Sequence, residues 1–150
     1  YMNTLIAGDK APNFEAKDNQ GIVRKLSDYS GKKLVVFFYP KASTPGCTAE
    51  ACNLRDHYQT FKAQGYEILG VSADSEKRQQ NFVLKYELPF PLLADEDHNV
   101  INGFGVWGPK KFMGREYDGI HRTTFVIDAN GVIESVISKV KTKDHAAQIL

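Results

Sequence analysis

The chain has 150 residues, 42% of them apolar and 25% charged, a balance that excludes a disordered tail, a collagen-like repeat and a disulfide-stapled miniature. Lysine and arginine number 19 against 18 acidic residues, a formal charge of +1, which gives no support to nucleic-acid or acidic-membrane binding. This length makes one domain, residues 1–150, able to bury roughly two-thirds of the surface its unfolded form exposes.

The opening Tyr1-Met2-Asn3-Thr4 has neither a basic nor an apolar leader pattern, so the expected compartment is the cytosol. Tyr1 reads as a residue added ahead of Met2. Phe14 and Ala16, the turn Asp18-Asn19-Gln20-Gly21, and Ile22-Val23 then read as a short hairpin. Leu34–Tyr39 is an unbroken apolar run, the pattern of a central strand covered on both faces. It is the strongest such run and far too short to span a bilayer. Pro45 is placed to open a helix, and Ala51, Leu54, Tyr58 and Phe61 continue it at helical spacing through residues 48–64, with Gly65 as the stop.

Glu67–Ser72 is a second buried strand. A helix opens at Asp74 or Ser75 and carries Phe82, Val83 and Tyr86 until Pro89, and a shorter one covers Asp97–Phe104. Trp107, Phe112 and Met113 are expected in core or loop packing, with a pocket mouth or partner-docking surface as the alternative. Thr123–Ile127 is a third strand, joined through Asp128-Ala129-Asn130-Gly131 to Val132–Ile137. Asp144–Leu150 reads as a final helix, cut short. Alternating strands and helices closed by a hairpin predict an α/β sandwich, its sheet mixed and its helices on both faces.

The two cysteines, Cys47 and Cys52, carry the most information. Thiols in a reducing compartment are poor candidates for structural staples. His57, His98, His121 and His145 are scattered, none three to five residues from another, so no zinc site is expected. Gly103, Gly105 and Gly108 follow no strand that would make them a dinucleotide loop, and no cofactor is expected.

Cys47 falls in the first turn of the helix that follows the first buried strand, at the sheet edge where α/β proteins bind ligands. Unpaired backbone N–H groups and the helix dipole there favour thiolate over thiol. The plainer alternative is a small buried apolar residue. Cys52 lies five residues on, roughly 8.6 Å away between Cα atoms of an ideal helix, whereas a disulfide needs less than about 7 Å. The two bond only if that turn unwinds; otherwise Cys52 is an incidental thiol. Cys47 shares the buried stripe with Ala51, Leu54 and Tyr58, while Cys52 joins Thr48, Arg55 and Gln59 on a more polar face.

Pro40, Thr44 and Cys47 match the Pro-x-x-x-Thr-x-x-Cys motif of peroxiredoxins, and Arg122 matches their arginine. The strings Tyr39-Pro40-Lys41-Ala42, Thr44–Thr48, Ala51-Cys52 and Leu54-Arg55-Asp56 resemble the bacterioferritin comigratory protein or peroxiredoxin Q branch. Phe112-Met113-Gly114, Tyr117–Arg122 and Phe125–Asp128 resemble it too, and the likeness runs from about Gly8 to Lys143. It implies a thioredoxin-like fold, reduction of hydrogen peroxide or organic hydroperoxides, and recycling by thioredoxin or a similar dithiol.

On that resemblance Cys47 is the peroxidatic nucleophile and Cys52 the resolving thiol, forming a disulfide within one chain. A monomer then suffices. Thr44, Arg122 and the N–H groups of Gly46 and Cys47 would face the peroxide, with Pro40 shielding the sulfur. Each has an ordinary alternative: Arg122 as a solvated charge, Thr44 as a helix cap, Pro40 as a strand terminator. Glu50 either orients Arg122 or merely sits favourably in the first helical turn. A disulfide oxidoreductase would carry Cys-x-x-Cys instead, and a thiol-based redox sensor would react with peroxide once and stall.

Overall fold

A computed structural model describes residues 5–150; Tyr1, read above as an addition, lies outside the described residues. The predicted first hairpin is present, β1 (Glu15–Lys17) pairing antiparallel with β2 (Val23–Lys25). Asp18 holds its turn, accepting from the backbone N–H groups of Gln20 and Ile22 and from Arg24.

The apolar runs form a five-stranded sheet of β3 (Lys33–Phe38), β4 (Tyr66–Ser72), β5 (Leu92–Ala94), β8 (Thr123–Ile127) and β9 (Ile133–Ile137), in the order β5-β4-β3-β8-β9. β3 and β4 are parallel, as are β4 and β5, whereas β8 runs antiparallel to both β3 and β9. The sheet is therefore mixed, with β3 at its centre. Successive residues of β3 point to opposite faces, and each face has its own core. Val36 and Phe38 pack with Leu69, Phe104 and Phe125 under α4 (Asn99–Gly103). Val35, Phe37 and Tyr39 pack with Leu54, Phe61 and Phe82 under α1 (Pro45–Asp56), α2 (Tyr58–Ala63) and α3 (Glu76–Tyr86). The final helix, α5 (His145–Ile149), adds Ala146 to this second face. This is the thioredoxin-like α/β arrangement, with helices on both faces.

The structure corrects the sequence reading in three places. The helix expected through residues 48–64 breaks at His57, whose N–H bonds to Leu54 O rather than continuing the α ladder. Its ring Nδ1 meets the Asn53 carbonyl released by that break, at 2.9 Å. Second, a hairpin absent from the sequence reading joins β6 (Trp107–Phe112) to β7 (Arg115–Ile120). Met113 and Gly114 turn it, both at positive φ, as a two-residue hairpin turn requires. Third, Phe112 and Met113 are 65% and 86% exposed at that turn, not packed. Trp107 does pack, against the core and the His98 ring.

Candidate active site

The site lies at the carboxyl end of β3. Tyr39 extends that strand by one bond, its N–H donating to Val71 O at 3.1 Å, and Pro40 ends it. The loop that follows is tied down from across the sheet edge: Asp74 accepts from Ala42 N at 2.7 Å and from Ser72 Oγ at 2.6 Å. Ser43 takes a left-handed conformation at φ 64°, a placement uncommon outside glycine that brings the chain round into α1. Sequence reading placed Asp74 at a helix start; its carboxylate instead fixes this loop.

Thr44 occupies the N-cap position, and its carbonyl accepts the first helical bond from Thr48 N at 2.8 Å. Its hydroxyl is not used as a cap and donates to Lys41 O at 2.7 Å. Pro45 at the first helical position leaves the N–H groups of Gly46 and Cys47 as the orphan donors of this helix end. Cys47 is 1% exposed and turns inward beside Ala51 and Leu54.

Arg122 reaches the same point from the other side. Phe38 pairs with Thr123 across β3 and β8, so the residue before Thr123 arrives beside the end of β3. The β6–β7 hairpin fixes its approach: His121 N donates to Val106 O at 2.7 Å, and His121 Nε2 lies 3.0 Å from Pro109 O. The guanidinium then divides its fork. Nη2 donates to Cys47 Sγ at 3.3 Å, and Nη1 donates to Glu50 Oε1 at 2.7 Å. A Cβ on Gly46 would stand 3.3 Å from Nη2, so the glycine leaves the guanidinium its seat.

Glu50 is wholly buried. Burial raises its carboxyl to about 7, against the pull of Arg122, which lowers it. Burial works against the charge on Arg122 too, but Cys47 and Glu50 raise it above the ordinary arginine value. Lys110 on β6 adds a second cation to this surrounding; its ammonium donates to Ile120 O at 2.8 Å. Burial and Arg122 lower its affinity for the proton, and Cys47 opposes them.

Of the residues singled out from sequence, Arg122 thus touches both Cys47 and Glu50, Thr44 caps the helix that carries those two, and Pro40 lies just beyond the end of β3. Cys52 does not join them. It lies half-buried on the same unbroken helix, and both thiols are free. Burial raises its thiol above the ordinary value, Arg55 lowering and Asp56 raising it further. Lys110 was missed because its place depends on the unforeseen hairpin. Among the described residues no three His, Cys, Asp or Glu side chains converge as a metal site, and no helix is long and apolar enough to cross a membrane.

The AhpC/TSA family matches residues 7–136 of this chain. Peroxiredoxin Bcp of Escherichia coli (strain K12) is 50% identical over 149 residues, covering 99% of this chain and 96% of the relative. A structure of the Xanthomonas campestris bacterioferritin comigratory protein superimposes with a TM-score of 0.85 at 35% identity, over 91% of this chain and 87% of its own. A peroxiredoxin Q variant from Xylella fastidiosa gives 0.91 at 30% identity, over 98% and 94%. With a likeness that spans nearly the whole chain and includes the helix carrying both cysteines, the protein belongs to the AhpC/TSA family as a peroxiredoxin of the Bcp and peroxiredoxin Q type, a thiol-dependent peroxidase.

Proposed function

We propose that Cys47 is the thiol that attacks the peroxide and that Cys52 resolves the product. The observation that carries this reading is the divided guanidinium of Arg122, one nitrogen on Cys47 Sγ and the other on buried Glu50. Negative charge on the buried sulfur, and then on the departing oxygen, meets a fixed cation that is itself mostly withdrawn from water. Preorganised charge of this kind is worth most where water is excluded. The Cys47 thiolate attacks one peroxide oxygen, the O–O bond breaks, and sulfur is oxidised to a sulfenic acid. The other oxygen leaves as alkoxide or hydroxide and takes up a proton, giving an alcohol or water. The N–H groups of Gly46 and Cys47 and the hydroxyl of Thr44, once turned from Lys41 O, line the path of the reacting oxygens. Pro40 keeps water off the sulfur.

Cys52 then displaces the sulfenic hydroxyl as water, forming an intramolecular disulfide, and thioredoxin or a similar dithiol reduces it by exchange. The first turns of α1 open for this step, because an intact helix holds the two Cα atoms roughly 8.6 Å apart. Both cysteines stand on one helix, so the cycle runs in a monomer. A cytosolic setting supplies the dithiol. The Xanthomonas campestris relative is described by its alkyl peroxide reduction activity, which favours organic hydroperoxides alongside hydrogen peroxide as substrates here.

Mass spectrometry of protein treated with one equivalent of peroxide tests the reading directly. The expected sequence is a trapped sulfenic acid on Cys47, then a Cys47–Cys52 disulfide, with faster amide exchange over residues 47–53. A first oxidation on Cys52, or a disulfide formed with protection of α1 unchanged, would contradict it.

A further inference from the structure

The C-terminal helix brings to this site a side chain that the chemistry above does not use. His145, the first residue of α5, is as fully buried as Glu50. Its Nε2 stands 3.5 Å from Glu50 Oε2, the oxygen that Arg122 leaves free and that has no hydrogen-bond partner. The same Nε2 lies 2.7 Å from Thr124 Oγ1 on β8, and Nδ1 lies 2.8 Å from Gln148 Oε1.

These contacts determine where the ring hydrogen sits. Gln148 donates its amide nitrogen to Lys139 O at 2.9 Å, and its Oε1 accepts from Lys141 N at 2.9 Å. The amide orientation is therefore set, and the atom facing Nδ1 is an acceptor. Nδ1 carries the hydrogen. In the neutral ring Nε2 is then a bare acceptor, satisfied by the Thr124 hydroxyl, with nothing to give Glu50. An ionised Glu50 faces a lone pair and keeps an unpaired oxygen in a buried site, an arrangement that proteins avoid. One added proton resolves the conflict, either on Nε2 or on Oε2 with the Thr124 hydroxyl turned from Nε2, because a hydrogen then lies between the two atoms.

We propose that Glu50 and His145 form a proton-holding pair that seats Arg122 against Cys47, making His145 a positioning residue of the peroxide step. The inference rests on the reading that Cys47 and Arg122 carry that step. With its proton the pair has no net charge, and the full charge of Arg122 faces the sulfur. Without it, the Glu50 carboxylate offsets that charge and is held at one oxygen only. Arg122 is the charged group acting on both members; Cys47 acts in turn on Arg122, and Arg122 acts on Lys110. Thr124 and Gln148, the polar partners of the ring, are neutral. Burial raises the carboxyl and lowers the imidazole, which brings their competition for one proton near neutrality.

In Cys47→Ser, which has no thiol at this site, long-range 1H–15N NMR from about pH 5 to about pH 9 follows the His145 ring directly. The expected result is Nδ1 protonated throughout, with one midpoint shared by Nε2 and the Glu50 carboxyl carbon and lost in Glu50→Gln. A ring protonated at Nε2 alone, or a titration unaltered by Glu50→Gln, overturns the pair. In otherwise intact protein, His145→Leu should slow Cys47 oxidation by about tenfold. His145→Gln, which returns a donor to Glu50, should recover most of that rate with a flattened pH profile. The parent's rate and pH profile in folded His145→Leu would also overturn the pair. Should that variant not fold, the His145→Gln profile and the ring spectrum decide. Turnover surviving in Cys47→Ser would instead overthrow the assignment of the nucleophile, a failure distinct from that of the pair.

Discussion

The two ends of α1 hold the same functional group in opposite surroundings. At its start, Cys47 faces the sheet, 1% exposed, with a guanidinium on its sulfur and the orphan N–H groups of a helix end around it. Further along, Cys52 lies half-buried on the outer side of the helix beside Arg55 and Asp56, its thiol raised by burial. Five residues of regular helix both create this contrast and keep the thiols apart. On the roles proposed for them, the sulfur that reacts first has a cation and a dry seat, and the one that reacts second would reach it only when the helix opens.

The sharpest way to break this contrast is to remove each sulfur in turn. Cys47→Ser and Cys52→Ser should both abolish dithiol-driven turnover, but for different reasons. Stopped-flow mixing with one equivalent of peroxide separates them: no fast reaction in the first variant, and a full-rate single oxidation in the second. Thioredoxin-dependent cycling at the parental rate in Cys52→Ser would remove that thiol from the mechanism. The next largest effect belongs to the cation. Arg122→Met should cost about 10²–10³ in the rate of Cys47 oxidation, the scale seen when one preorganised donor is lost from a site of developing charge. Arg122→Lys keeps the charge but not the fork that spans sulfur and carboxylate, and should recover only part of the loss.

Much of the Cys47 end was legible from sequence, and less of its setting. Pro45 after a buried strand marked the helix start, and the spacing of Ala51 and Leu54 with Cys47 marked the inward face; both are local signals. Arg122 was found by the family motif, because its position follows from the pairing of Phe38 with Thr123, which no local pattern reveals. The β6–β7 hairpin escaped notice because most of Lys110–Gly119 is exposed or half-exposed, so its strands show no apolar alternation. Its one cue was glycine at the second turn position. His145 read as one scattered histidine among four, since its meaning comes from Glu50 and Thr124, distant in sequence.

The burial that serves Cys47 has a cost that Cys52's surroundings do not share, and pH exposes it. Glu50 has a carboxyl raised from 4.5 to about 7 in the folded protein. Over that interval the native state binds its proton while the unfolded chain has released it, so stability falls as pH rises from 4.5 to about 7. Glu50→Gln cannot ionise. Its melting temperature relative to the parent should therefore rise across that window and level off above it. A difference that stays constant with pH would mean that Glu50 is ionised without penalty in its buried seat.

The smallest effect is expected where the two ends of the helix meet the rest of the fold. Asn53, next to Cys52, accepts from Ala146 N at 2.7 Å and donates to Lys143 O at 3.2 Å, so α5 is fastened to the Cys52 end of α1. Opening the helix to join the sulfurs must disturb this fastening as well as the helical bonds. Asn53→Ala removes both side-chain bonds and should cost about 1–2 kcal/mol in stability. Asn53 bonds to neither Cys47 nor Arg122, so peroxide attack on Cys47 should slow far less than in His145→Leu, which removes the ring that α5 carries to the site. Disulfide closure should accelerate several-fold, by about the part of that stabilisation already lost when the opened helix is reached. Double-mixing stopped-flow, which separates sulfenic acid formation from closure, measures the two rates in one experiment. A closure rate unchanged in Asn53→Ala would confine the opening to the first turns and leave the Cys52 end closed throughout the cycle.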